Sequence, residues 1–184
     1  GPFPVKLDLL NPDGPDPADA VIKGAAAPRN PTVANDLNKL AGGSVYLHTG
    51  EFFMEVVDLE IPGRGLNWQL ARTYRSQINH DGQIGRNWIF NYDRRVVPGA
   101  GVLLYLDGQG REDEYFAVSP TLYEPSAPGI YSKILEDASG YTLRERDGTL
   151  YHHHPFIGGG PVDGRLDWIE DRAGNHLSLL YDDY

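Results

Sequence analysis

The chain is predicted to be all-β, a mostly antiparallel twisted sheet of successive β-hairpins behind a proline-rich, extended N-terminal arm. Three observations carry this. From Ser44 onward apolar and polar residues alternate with a period of two, the period of a half-buried strand. Between the alternating runs stand the turn dipeptides Pro62-Gly63, Asp81-Gly82, Asp107-Gly108, Asp147-Gly148 and Gly174-Asn175. Asp and Asn tolerate left-handed backbone and Gly adopts it without steric cost, so each pair reads as a hairpin turn. No amphipathic helix of three turns or more interrupts the strands, which argues against the βαβ folds that host most cofactors. About ten strands with short connections follow from counting these signals.

Taken in order, residues 1–43 form the arm. The stretch NPDGPDPADAVIKGAAAPRNP holds five prolines, each of which removes a backbone donor and biases its neighbour to extended geometry. A short helix is expected at Thr32–Leu40, capped by Thr32 and stopped by Gly42-Gly43. Asn11, Asp13 and Gly14 suggest a calcium loop, but Leu9 and Ala20 stand where its first and last ligands belong. Residues 44–184 form the β domain. Phe52, Met54 and Val56 share a face. Leu66, Trp68 and Leu70 lie opposite Asn67, Gln69 and Thr73. Trp88, Phe90 and Tyr92 share another face, and Tyr141 and Leu143 alternate with Thr142, Arg144 and Arg146. Leu177, Leu179 and Tyr181 alternate with His176, Ser178 and Asp182. Hairpins are expected from Gly140 to His153, from Gly164 to Asp183 and, more loosely, from Val102 to Phe116. Their spacing is uneven, so they are hairpins of one type and not a strict repeat.

Composition bounds the function. At 184 residues, 40% hydrophobic and 23% charged, the chain has globular values and buries roughly 70% of the surface its unfolded form exposes. A formal net charge of −10 argues against nucleic-acid partners and anionic membranes, both of which need a positive surface. The chain has no cysteine, which removes disulfides, thiolate zinc sites and cysteine nucleophiles. No apolar run approaches the roughly twenty residues that span a bilayer, so no membrane insertion is expected.

Gly164-Arg165-Leu166, Ile169, Asp171, Gly174-Asn175 and Tyr181-Asp182 follow the spacing G-R-L-x(2)-I-x-D-x(2)-G-N-x(5)-Y-D. This resembles the YD repeat of the RHS (rearrangement hot spot) and teneurin-type proteins. Upstream stand Thr49-Gly50, Asp58-Leu59, Pro62-Gly63-Arg64-Gly65, Arg72, Tyr74, Ser76, Gly85 and Trp88. They are similar to the segment that leads into the repeats of bacterial RHS proteins. The family's G-x-G-x-W is met only loosely, because Arg86-Asn87 follow Gly85. The resemblance covers Ser44 to Tyr184 and implies structural work. Family members wind a long β-sheet into a hollow shell, each repeat adding a hairpin. In bacteria the shell often encloses a toxic C-terminal domain, and in teneurins it belongs to an adhesion receptor. By this resemblance the chain supplies the plug or first turns of such a shell and is not an enzyme. Its partners are then the downstream YD repeats and an enclosed C-terminal domain, and its location is secreted or cell-surface. The alternative is an autonomous carbohydrate- or protein-binding β-module.

Sharper chemical readings are weighed against plainer ones. His152 and His154 point to one face of a strand and could grip a metal with a third ligand, but a polar strand face before Pro155 explains the triplet with His153 as well. Glu112, Asp113 and Glu114, or Asp167, Glu170 and Asp171, suggest a glycosidase pair; alternation scatters each cluster over both faces. Trp68, Tyr74, Trp88, Phe90, Tyr92, Tyr105 and Tyr115 could stack sugars, although burial of such large rings in a core is the commoner use. Arg64, between Gly63 and Gly65, is expected to pair with a buried carboxylate, the alternative being that it simply holds the turn. The sequence indicates no catalytic, cofactor or metal residues. Gly63, Arg64, Gly65, Arg72, Tyr74, Ser76, Trp88, Gly164, Arg165, Leu166, Asp171, Gly174, Asn175, Tyr181 and Asp182 are the structural motif residues.

Overall fold

The computed structural model describes residues 40–41, 45–46, 49–63, 65–82 and 84–181. Nearly all of the arm lies outside these residues, including its expected helix as far as Lys39. Leu40 instead begins a short strand, β1 (Leu40–Ala41), paired with β2 (Val45–Tyr46). Every pairing that follows is antiparallel, and no helix occurs among the described residues. A three-stranded sheet contains β3 (Phe53–Ile61), β4 (Trp68–Arg75) and β7 (Trp88–Phe90), in the order β3-β4-β7. Between β4 and β7 lies a two-residue pairing of β5 (Asp81–Gly82) with β6 (Gly85–Arg86). Asp81-Gly82 is therefore a strand and not the turn expected of it.

The larger sheet has nine strands in sequence order. They are β8 (Arg94–Pro98), β9 (Val102–Asp107), β10 (Glu112–Ser119), β11 (Leu122–Pro125) and β12 (Lys133–Asp137). Then come β13 (Gly140–Arg144), β14 (Leu150–His153), β15 (Leu166–Glu170) and β16 (His176–Ser178). All three expected hairpins form: β9–β10, β13–β14 and β15–β16. Short pairings such as β5–β6 raise the strand count above the expected ten. They carry too few residues to show a period.

One device repeats at the turns. Asp107 Oδ1 accepts the N–H groups of Gln109 and Arg111, Asp147 Oδ1 that of Thr149, and Asp171 Oδ1 those of Ala173 and Asn175. A carboxylate that mimics a backbone carbonyl in this way closes the turn without help from the flanking strands.

The sheet curls until its first strand meets its eighth. Arg95 of β8 bridges Arg165, just before β15, and Val96 N–H donates to the Gly164 carbonyl at 2.8 Å. The sheet is thus a curled half-barrel whose strands β8 and β15 touch at a single bridge, with β16 beyond it. A barrel of about eight strands is just wide enough for side chains to fill, and this one is filled. Val96, Leu103, Tyr105, Tyr115, Ile134, Tyr141 and Leu143 pack inside it, each 6% exposed or less. His153 joins them, fully buried, with its ring edge-on to Tyr105; burial pushes its pKa down to about 3. It is a neutral core histidine.

Candidate functional site

The two motif groups, about a hundred residues apart in the chain, meet in space. Gly65 carries a φ of +108°, and a Cβ there would overlap the side-chain amide of Asn175. That amide donates to Asp171 Oδ2 at 2.7 Å, so the β15–β16 turn is rigid where the β3–β4 turn rests on it. Leu66 and Trp68 extend the contact, packing with Leu177 and Leu179 on a core of Tyr92, Leu166 and Ile169. At the exit of β16, Tyr181 O–H donates to the Leu166 carbonyl at 2.7 Å, while the Arg165 guanidinium lies over the Tyr181 ring at 5.3 Å. Gly174 takes the left-handed backbone that the turn requires. Gly164, Arg165, Leu166, Asp171, Gly174, Asn175 and Tyr181 thus form one joint, and Gly65 closes against it, while Gly63 N–H donates to Asn67 Oδ1 within the β3–β4 turn. Arg64 and Asp182 lie outside the described residues.

Arg72, Tyr74, Ser76 and Trp88 form a second group at the other end of the small sheet. Arg72 holds Asp58 in a bidentate pair of 2.5 and 2.8 Å and covers the Trp88 ring at 4.9 Å. Tyr74 packs on Trp88, with ring centroids 5.3 Å apart. Ser76 Oγ accepts the Phe52 N–H at 2.9 Å.

Strand β4 keeps the expected division into two faces, Trp68 and Leu70 on one and Thr73 on the other, and it is the face bearing Thr73 that is buried. Its buried face is Ala71, Thr73 and Arg75, while Trp68, Leu70, Arg72 and Tyr74 stay half-exposed. The reason is an ion pair that sequence reading missed. Glu51, fully buried, receives Arg75 Nε at 3.0 Å and Nη2 at 2.8 Å, and Arg75 Nη1 donates to the Gly110 carbonyl in the β9–β10 turn. All three guanidinium nitrogens of Arg75 are engaged, which is what makes such a charge tolerable away from water. This buried ion pair belongs to Arg75; Arg64, the residue expected to pair with a buried carboxylate, lies outside the described residues.

A second missed feature is the loop before β15. Asp163 Oδ2 accepts the N–H groups of Gly158, Gly159 and Gly160 at 2.8, 2.8 and 3.1 Å, and Arg95 Nε donates to the Asp163 carbonyl at 3.0 Å. The run Gly158-Gly159-Gly160 ahead of an aspartate is the available sequence signal, since consecutive backbone donors make an anion nest. Burial alone would raise the Asp163 pKa, but these donors together hold it below the usual carboxylate value. A depressed folded-state pKa stabilises the fold above the unfolded value, and that contribution is lost as pH falls through the folded one. Asp171 is shifted in the same direction by Asn175. Stability should therefore fall as pH drops below about 4. Asp163→Asn should cost about 1–2 kcal/mol at pH 7 by weakening charge-assisted bonds. It should also flatten the acid limb of a denaturant-midpoint profile; an unchanged limb would remove Asp163 from this role.

The remaining candidates fall apart as sites. His152 and His154 both face Asp167, at 3.9 and 3.7 Å. No group of three or more His, Asp or Glu among the described residues is arranged to hold a metal. The aromatic row is divided: Tyr92, Tyr105 and Tyr115 are core, while Trp68, Tyr74, Trp88 and Phe90 share one half-exposed face of the small sheet, where Trp68 and Phe90 pack on the core of Tyr92, Leu166 and Ile169. The acidic clusters are spent on pairing: Arg111 holds Asp113 at 2.9 Å, and His176 lies 3.6 Å from Glu170. A cavity of about 510 Å³ at one barrel mouth is lined by Arg94, Arg111, Glu145 and Tyr151 among others. Burial raises the Glu145 pKa, while Arg94 and Arg111 oppose the rise.

The fold and this joint define a class: an antiparallel β scaffold, its barrel packed solid and its turns locked by aspartates. Residues 42–115 match the model of a domain of unknown function, DUF6531. The tRNA nuclease WapA of Bacillus subtilis (strain 168) is 27% identical over 135 residues, covering 73% of this chain and 6% of the nuclease. The double-stranded DNA deaminase toxin A of Burkholderia cenocepacia (strain H111) is 27% identical over 156 residues, covering 78% of this chain and 10% of the toxin. The chain thus spans no more than a tenth of the length of these two relatives.

Proposed function

We propose that this segment is the non-enzymatic starting end of an RHS/YD-type shell, a seed on which later hairpins are laid. The observation that supports it best is the asymmetry of the barrel edges. The β8 edge is engaged by Gly164 and Arg165. The β16 edge, braced by the Gly65–Asn175 contact and by Tyr181, has no further strand among the described residues. Within the nine-stranded sheet, growth then proceeds from β16 and not from β8. The barrel interior is filled, so any enclosed space would be built by the strands that follow, with this segment closing one end as a plug.

On this reading the partners are the downstream repeats and a C-terminal effector inside the shell. The similarity to a nuclease and to a deaminase toxin, each far longer than this chain, supports a toxic cargo and an exported or cell-surface location. The test is whether the fragment self-associates through β16 and is relieved of it by its downstream repeats.

A further inference from the structure

The small sheet has one face that the barrel covers only in part. Cross-strand pairing places Met54 with Tyr74, Val56 with Arg72, Leu59 with Leu70 and Ile61 with Trp68, and β7 adds Trp88 and Phe90 to the same face. One end of this face, at Trp68 and Phe90, packs on Leu166, Ile169, Leu177 and Leu179. Beyond the Arg72–Asp58 pair, which crosses the middle of this face, the rest is apolar and open: Met54 is 36%, Leu59 49% and Ile61 53% exposed. Strand β3 also has an open edge over most of its length, for among the described residues it bonds to β4 and, through Phe52 just before it, to Val45. Glu55, Asp58, Glu60 and the bulge between Val57 and Leu59 blunt that edge against pairing, so it is the exposed apolar face that calls for a cover.

We infer that this open face is a docking surface for the β-hairpin that follows β16, whose inward apolar residues would lie against Leu59, Ile61 and Leu70. The inference rests on the shell reading and names the surface that guides its first added hairpin. Continuity of packing carries it. The strand order β7, β4, β3 runs outward from the seam, because β7 leads through Tyr92 into β8. Trp68 and Phe90 already sit on the inner residues of β15 and β16, so a sheet extended past β16 passes next beneath Leu70 and then Leu59 and Ile61. The partner it fits is an antiparallel hairpin with apolar side chains at alternate positions. The small sheet then acts as a second layer, giving each new strand an apolar surface as well as a hydrogen-bonding edge.

The absence of cysteine allows a direct test. Single cysteines at Leu59→Cys and Ile61→Cys, with Val118→Cys on the far side as control, are labelled with a maleimide. Labelling is done in this chain and in the natural chain continued past Tyr184. Labelling at 59 and 61 should slow at least tenfold in the longer chain and stay unchanged at 118. Unchanged labelling at 59 and 61, while β16 amides become protected from hydrogen exchange, would overturn this inference and leave the shell reading standing. Unprotected β16 amides in the longer chain would remove both. Protection already present in this chain would also overturn it, showing a second copy if dilution abolishes it and residues 1–39 if their deletion does.

Discussion

Arg75→Met is expected to destabilise the fold by about 3–5 kcal/mol, because it leaves the Glu51 carboxylate buried without its cation. Glu51 has no exposed surface and Arg75 supplies both of its strong hydrogen bonds. The pair also ties the small sheet to the β9–β10 turn through the Gly110 carbonyl, so the loss should be felt in both sheets. At this chain length the shift in Tm should be on the order of 10 °C or more. The double variant Glu51→Leu/Arg75→Met should recover much of the loss, since two apolar side chains leave no charge to desolvate. Thermal and urea denaturation check both variants. A single variant as stable as the parent would show that the pair is solvated and not the anchor described here.

Gly164→Ala is expected to have the next largest effect, about 3 kcal/mol, with opening of the barrel seam. Gly164 has a φ of +66°, and a Cβ there would overlap the Val96 carbonyl. The backbone of β8 would have to withdraw from the strand it touches, taking with it the bond from Val96 N–H to the Gly164 carbonyl. Gly174→Ala is the control. Its φ of +83° is also left-handed, but nothing lies within 4 Å of the added Cβ, so only about 1–2 kcal/mol of backbone strain is expected. Hydrogen exchange at Val96 separates the two: faster in Gly164→Ala, unchanged in Gly174→Ala. Equal losses in both would mean that the seam contributes nothing beyond its backbone conformation.

Much of this architecture could be read from local pattern. The aspartates at 107, 147 and 171 act within four residues of themselves, so hairpin turns are legible in a short window. The buried pair Tyr141 and Leu143 and the half-buried run Leu177, Leu179 and Tyr181 obey their period because one side of the strand meets a core and the other meets water. Strand β4 shows the limit. Period two tells which residues share a face but not which face turns inward, and here Thr73 and Arg75 go in because Glu51, some 24 residues earlier, awaits them. The seam joins Val96 to Gly164 and the joint joins Gly65 to Asn175. Contacts of that separation leave no mark in a local window. Motif spacing marked Gly65 and Asn175 separately as structural residues, and only the fold shows that they touch.

Sedimentation velocity of this chain over a hundredfold concentration range, alone and with its downstream repeats supplied in trans, bears directly on the seed reading. An unfinished edge at β16 predicts self-association that rises with concentration and gives way to a defined complex when the repeats are present. A compact monomer at every concentration, indifferent to the repeats, would overturn that reading and mark the chain as a self-contained module.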